Sequence, residues 1–345
     1  LPLPGKEADI LFHSGDPDQI TSAPAGELAG SGWELQGTWR GLLGTPVAPR
    51  YFITAQHVGG SVGDAFVFRG ISYTTTARFA DSASDLVLWR VAAAFPDFAS
   101  LYTLINENGK NVVVFGRGTQ RGKPVEVAGL LGTVEKGWKW GVSDGRMRWG
   151  ENQVDAVVSA SGIGVQLPGT TSASAELLKL GFSSNGGPNE AHLSTGDSGG
   201  GLFIHDGTGW KLAGINYAVD GPYNNSSSGT GFFASIHDEG GLYKGGEGNW
   251  KVVPDSPSAQ PGNFYATRIS ARMAWIESVL ELPIPEEPPV LEFTTGLGEP
   301  FLAETSAQVD TATKTIRTSI STEPRLYRLS ASNPLRIIRT LREQD

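Results

Sequence analysis

The sequence predicts an all-β fold on three observations: short β-prone runs punctuated by glycine, abundant turn-forming residues, and no helical periodicity before the last quarter of the chain. The runs begin after residue 30 and include Thr38-Trp39-Arg40-Gly41-Leu42-Leu43, Tyr51-Phe52-Ile53-Thr54, Ala65-Phe66-Val67-Phe68, Leu86-Val87-Leu88-Trp89, Val112-Val113-Val114-Phe115 and Val154-Asp155-Ala156-Val157-Val158. Their β-branched and aromatic side chains suit a pleated, half-buried surface. With 46 Gly and 21 Pro in 345 residues, the chain can turn between many short strands, the cadence of barrels and sandwiches.

The first helical pattern spans Arg268 to Glu281, where Ile269, Met273, Ile276 and Leu280 fall on one face. It closes a main domain, 30–282, which follows a Gly/Pro/Asp-rich lead-in, 1–29. Leu282-Pro283-Ile284-Pro285-Glu286-Glu287-Pro288-Pro289 carries four prolines in eight residues, which stop a helix and predict an extended linker at 283–289. Residues 290–345 are read as a small β-rich C-terminal module containing Thr315-Ile316-Arg317-Thr318-Ser319-Ile320 and Arg325-Leu326-Tyr327-Arg328-Leu329. A core of that size is marginal alone.

Composition excludes several classes of function. The formal charge is −9, yet the residues from Lys314 onward carry +4 and the first 313 carry −13. Such an acidic body argues against nucleic acid as a partner, since a basic face supplies most of that binding energy. The absence of cysteine rules out disulfides, thiolate metal sites and a cysteine nucleophile. No metal cluster or cofactor motif is apparent, and no apolar stretch approaches the roughly 20 residues of a transmembrane helix. The start Leu1-Pro2-Leu3-Pro4 has no Met and no basic-then-apolar leader, which predicts an exported protein (periplasm, cell surface or extracellular) with its signal removed.

Gly196-Asp197-Ser198-Gly199-Gly200 carries the chemistry. A serine hydroxyl is a poor nucleophile at neutral pH and needs a base and oxyanion donors. Glycine at 196 lets its N–H and that of Ser198 point at one oxygen, and the following glycines leave room for a substrate chain. The same residues satisfy Gly-x-Ser-x-Gly, the nucleophile elbow of α/β-hydrolases, in which acid and histidine follow the serine. His205 and His237 lie downstream, but no alternating strands and helices surround them.

Thr195-Gly196-Asp197-Ser198-Gly199-Gly200-Gly201-Leu202-Phe203 resembles the nucleophile segment of the chymotrypsin/trypsin-like serine proteases, except that Gly201 stands where that family usually has proline. Tyr51-Phe52-Ile53-Thr54-Ala55-Gln56-His57-Val58 resembles its Thr-Ala-Ala-His segment. Ser84-Asp85-Leu86-Val87-Leu88-Trp89 resembles its Asp-Ile-Ala-Leu-Leu strand, with Asp81 a fallback acid. The order His57, Asp85, Ser198 is that of the family, and the resemblance runs from about Gly30 to Leu282. It implies a chymotrypsin-like double β-barrel with a C-terminal helix, His57 as general base, Asp85 as its orienting acid and Ser198 as nucleophile. Gly196 and Ser198 would form the oxyanion hole, with Asp197 as structural support.

The resemblance further implies a polypeptide substrate lying beside Ile215 to Val219. It places His192 at the base of the primary pocket, where trypsin-like enzymes carry aspartate, so strong preference for Lys or Arg is not expected. His192 with Ser194 and Thr195 reads either as suiting an acidic or neutral polar side chain or, for His192, as a loop histidine outside the pocket; Tyr217, Val219 and Gly231 are further binding candidates. The family's Ile-Val-Gly-Gly amino terminus does not occur, so Asp197 is expected to be held by an internal donor. An esterase and a non-catalytic protease-fold binding or adhesion module are the competing functions. The Arg325 to Leu329 run is similar to a Phe-Tyr-Arg-Leu motif of exported bacterial proteins, implying a sorting or cell-surface partner. Residues Asn333 to Leu341 read alternatively as a short basic helix.

Overall fold

The structure, a computed structural model, describes residues 11–12, 19–129, 132–163, 172–282, 290–296, 300, 302–305, 307–310, 315–318 and 325–330. The chain divides into two compact units, Leu1–Glu281 and Leu282–Asp345.

In the first unit a short strand, β1 (Leu11–Phe12), precedes a closed six-stranded antiparallel barrel. Its strands are β2 (Gly37–Trp39), β3 (Leu42–Ala48), β4 (Tyr51–Ala55), β5 (Ala65–Phe68), β6 (Ile71–Ala80) and β7 (Leu86–Val91), in the order β2-β3-β4-β7-β6-β5. Two hairpins explain its tightness. Arg40-Gly41 joins β2 to β3 and Arg69-Gly70 joins β5 to β6, and all four residues have positive φ. Two consecutive residues with positive φ make the turn whose twist matches that of paired strands. The interior is aromatic: Trp39, Phe52, Phe66, Phe68 and Trp89 are fully buried, with Phe52 stacked on Phe66 at 3.9 Å between ring centroids.

The second half of the unit contains β8 (Asn111–Gly116), a hairpin of β9 (Arg121–Gly129) and β10 (Gly132–Trp140), β11 (Arg148–Gln153), β12 (Ala156–Ser159), β13 (Glu176–Gly181) and the short β14 (Ala191–His192). It continues with β15 (Gly201–His205), β16 (Trp210–Val219), β17 (Tyr223–Asn224), β18 (Ala234–Ile236), β19 (Tyr243–Lys244), β20 (Lys251–Val252) and β21 (Asn263–Arg268). Seven of these strands form one sheet in the order β11-β8-β15-β16-β21-β13-β12. Its two outer strands are halves of one bent segment broken only at Val154-Asp155, whose N–H groups bond Lys110 O and Lys179 O. The sheet therefore curls until its ends meet through the chain itself, giving a second barrel of six positions. Together with the first, this makes the expected all-β double barrel.

Strand β8 shows why one apolar run serves both the barrel and its neighbour. Val112 and Val114 join the interior of the second barrel, while Val113 and Phe115 face a cluster containing Leu43, Ile53, Leu86 and Leu88 of the first. Side chains alternate across a strand, so an uninterrupted run is buried on both faces. Part of the predicted lead-in joins the same seam: Ile20 is fully buried there, and Ser22 O accepts the Trp149 indole N–H at 2.9 Å. The helix α1 (Met273–Leu280) is shorter than expected because Arg268 ends β21 and Ser270–Arg272 forms a 3₁₀ turn.

The second unit contains β22 (Val290–Thr294), β23 (Leu302–Ala303), β24 (Gln308–Asp310), β25 (Thr315–Arg317) and β26 (Leu326–Ser330). They form a three-stranded sheet, β23-β22-β26, and a β24–β25 pair. The linker 283–289 and the Asn333 to Leu341 segment lie outside the described residues. Among the described residues, no helix is long and apolar enough to cross a membrane.

Candidate active site

Register alone brings the first two residues together. In the β4–β7 ladder Ala55 lies opposite Leu86, so the residues just after β4 meet the residue just before β7. Gln56 N–H donates to Asp85 O at 2.5 Å and His57 N–H to Asp85 Oδ1 at 3.0 Å. The His57 ring then meets Asp85 Oδ2 through Nδ1 at 2.5 Å and Ser198 Oγ through Nε2 at 2.7 Å. With a carboxylate as its partner, Nδ1 carries the ring proton and Nε2 presents its lone pair to the serine hydroxyl. Burial raises the Asp85 carboxyl above its ordinary range, against the opposing pull of the His57 donors.

Ser198 sits in a turn that only these glycines allow. Gly196 and Gly199 have φ of 98° and 80°. A Cβ on Gly199 would lie 2.2 Å from Thr54 Oγ1 and 2.6 Å from Leu43 O, so the turn approaches the first barrel as closely as backbone permits. Gly199 N–H donates to Asn216 O and Asn216 N–H to Gly200 O, pinning the turn to β16. The N–H groups of Gly196 and Ser198 enter no hydrogen bond among the described residues. Gly201, the departure from the family's proline, donates its N–H to Gln36 Oε1 at 3.1 Å, a bond proline cannot make.

Asp197 is buried and caged by donors. Oδ1 accepts Gly118 N–H at 2.8 Å, while Oδ2 accepts Ser194 N–H at 2.7 Å and Ser194 Oγ–H at 3.1 Å. Burial pushes its carboxyl up to about 7, against these donors and the charge of Arg148. Gly116 and Gly118 make the room, since a Cβ would come within 1.8 Å of Asp197 Oδ1 at the former and 2.2 Å of Ser194 Oγ at the latter. Sequence reading missed Ser194 and Gly118 in this role, although Gly116-x-Gly118 at the end of an apolar strand was a visible signal for close approach.

The predicted pocket residues fare differently. His192 is 1% exposed, edge-on to Phe182 and Phe264, with Nδ1 at 2.8 Å from Leu193 O and 2.9 Å from Ser235 Oγ. Burial lowers it to about 4, so it is neutral at pH 7 and supplies no charge for an acidic side chain. Of the two kinds of side chain read from the sequence for this position, the acidic one therefore meets no charge on His192. Thr195 is exposed beside the turn, whereas Val219 is buried. Tyr217 lies at a bulge in the β16–β21 ladder, its ring centroid 6.1 Å from that of His57. A Cβ on Gly231 would lie 2.3 Å from the ring of Trp250, a residue that sequence reading overlooked.

The alternatives for base and acid have other partners. His205 packs against Trp210 and His237 against Trp138, whereas Ser198 Oγ is met by His57. Asp81 is bonded to Arg272.

No family model and no curated protein matches the chain. Among solved structures it is similar to mouse neuropsin, a serine protease, at 15% identity over 72% of this chain and 95% of that one, with a TM-score of 0.41. It is also similar to the Rv3671c protease in an inactive form, at 14% identity over 78% and 98% with a TM-score of 0.43. For the inactive serine-to-alanine mutant of Rv3671c from M. tuberculosis the values are 13%, 80% and 99%, and 0.42.

Proposed function

We propose that the chain is a serine endopeptidase working through His57, Asp85 and Ser198. The observation that carries this reading is His57 bridging Asp85 at 2.5 Å and Ser198 at 2.7 Å from its two ring nitrogens. Ser198 Oγ attacks the scissile carbonyl as His57 Nε2 takes its proton, and the charge on the imidazolium faces Asp85. The oxyanion sits between the N–H groups of Gly196 and Ser198. His57 returns the proton to the leaving amine, the acyl-enzyme remains on Ser198, and water reverses the sequence.

A peptide is the favoured substrate because β16 continues beyond its pairing with β15 at Ile215 and its bonds to Gly199 and Gly200 at Asn216, and runs on past His57 through Val219. An extended chain can add there through its backbone. Strong primary preference for Lys or Arg is not expected: the resemblance aligns His192 where trypsin-like enzymes carry aspartate, and the acids Asp220 and Glu239 are already paired with Lys244.

The test is fluorophosphonate labelling together with cleavage of a peptide library. Ser198→Ala abolishes both, with kcat falling about a million-fold. Asp85→Asn keeps the fold and lowers kcat about 10⁴-fold. Absence of labelling in the folded wild-type protein would favour a binding module, and turnover of short acyl esters without peptide cleavage would favour an esterase.

A further inference from the structure

Asp85 has both carboxylate oxygens directed at His57, one to its backbone N–H and one to its ring. Its backbone is held on one side by Gln56 N–H, which donates to Asp85 O, and on the other by the loop that carries it, residues 81–86. That loop closes around a different carboxylate. Asp81, 1% exposed, accepts Ala83 N–H at 3.1 Å and Ser84 Oγ–H at 2.6 Å. Asp81 N–H donates to Leu86 O at 2.9 Å, and Leu86 N–H to Ser84 Oγ at 3.3 Å.

The outer face of Asp81 is held by Arg272, which donates Nε to Oδ2 at 2.6 Å and Nη2 to Oδ1 at 2.7 Å. Two parallel bonds from a planar guanidinium fix angle as well as distance, which a single lysine bond does not. Arg272 is the residue immediately before α1, whose Ile276 and Val279 are buried in the cluster between the barrels. A cleft lined by Ala83, Ser174, Ala175, Glu176 and Ala271 leaves the Arg272 side chain 26% exposed. Replacements there meet space as well as packed atoms.

We propose that Asp81 and Arg272 are positioning residues: they latch the acid loop of the first barrel to the terminal helix and so hold Asp85 in line with His57. This rests on the serine-peptidase reading. The latch explains why a second buried acid lies four residues before Asp85, and it makes docking of a C-terminal helix a condition for activity in the N-terminal barrel.

The full-length chain and its Arg272→Gln, Asp81→Asn, double and Arg272→Lys variants are compared by urea unfolding, fluorophosphonate inactivation rate and pH profiles of kcat and kcat/KM. Arg272→Gln and Asp81→Asn each lower kcat about 10- to 100-fold through misplacement of Asp85, with KM within about twofold. The acid limb of kcat/KM separates positioning from general loosening. Removing Arg272 leaves the Asp81 charge uncompensated and moves the limb up by about half a pH unit; removing Asp81 leaves Arg272 uncompensated and moves it down by about as much. The double variant returns toward the wild-type limb.

The other groups around this path stay constant across the series: Arg78 bonded to Gln56, Tyr217 beside His57, and Glu176 in the cleft. Should the glutamine variant fail to fold, Arg272→Lys keeps the charge with poorer geometry, and a kcat loss without a limb shift is the expected result. Wild-type kcat in a folded Arg272→Gln protein, or limbs moving in the same direction, would overturn the latch. A wild-type protein that neither labels nor cleaves would overturn the peptidase reading and the latch with it.

Discussion

Replacing Asp197 by asparagine tests how the nucleophile turn is held. The carboxyl is raised from 3.8 to about 7 by burial. Between those values the folded chain retains a proton that the unfolded chain has released, so this group lowers stability as pH rises through the window, by about 4 kcal/mol in total. An asparagine does not titrate. In urea unfolding, the stability difference between variant and wild type should move in the variant's favour by about 3 kcal/mol from pH 5 to pH 8. A constant offset is superimposed: the carboxylate accepts backbone N–H groups on both oxygens, and an amide has only one oxygen. Whichever way it is turned, one buried N–H loses its acceptor, costing about 1 to 3 kcal/mol. The distorted turn should label about 100- to 1,000-fold more slowly, the usual cost of losing an oxyanion donor. A stability difference independent of pH would refute the argument, for Asp197 would then be ionised throughout, held by its donors and Arg148 despite burial.

Gly116→Ala should destabilise the fold by about 1 to 3 kcal/mol and slow labelling in parallel, because its Cβ lies on Asp197 Oδ1; unchanged thermal unfolding and labelling rate would count against the tight cage. His192→Gln tests the opposite titration. His192 is lowered to about 4, so its stabilising contribution is complete above pH 6.5 and is lost toward pH 4. Relative to the glutamine variant, wild type should lose about 3 kcal/mol over that range. Cleavage profiling of the wild-type protein should show no dominant Arg or Lys preference at the primary position.

Much of the fold was legible because its determinants are local. Alternating or continuous apolar runs set the strands, and the Arg-Gly pairs at 40–41 and 69–70 sit where hairpins need positive φ. The helix boundary was less legible: the apolar spacing from Ile269 to Leu280 is helical, yet Arg268 is drawn into β21 by pairing with Gly214. A ladder partner 54 residues away is invisible to a periodicity. The burial of Ile20 was illegible for the same reason, since nothing near it announces that the seam between the barrels will cover it.

The pentapeptide Gly196 to Gly200, with His57 and Asp85 preceding it in that order, determined from sequence alone which side chains to suspect, because glycine turns and strand-end motifs encode their geometry within a few residues. Tertiary structure decided how those side chains are supported and which neighbours cannot act. It brought Gly118 and Ser194 around Asp197, neutralised His192 among aromatic rings, and turned Asp81 from a fallback acid into the partner of Arg272. These are matters of burial and of donors meeting acceptors, Gly118 with Asp197 across 79 residues and Arg272 with Asp81 across 191. Desolvation and hydrogen-bond pairing are properties of the packed interior, and no short stretch of chain contains them.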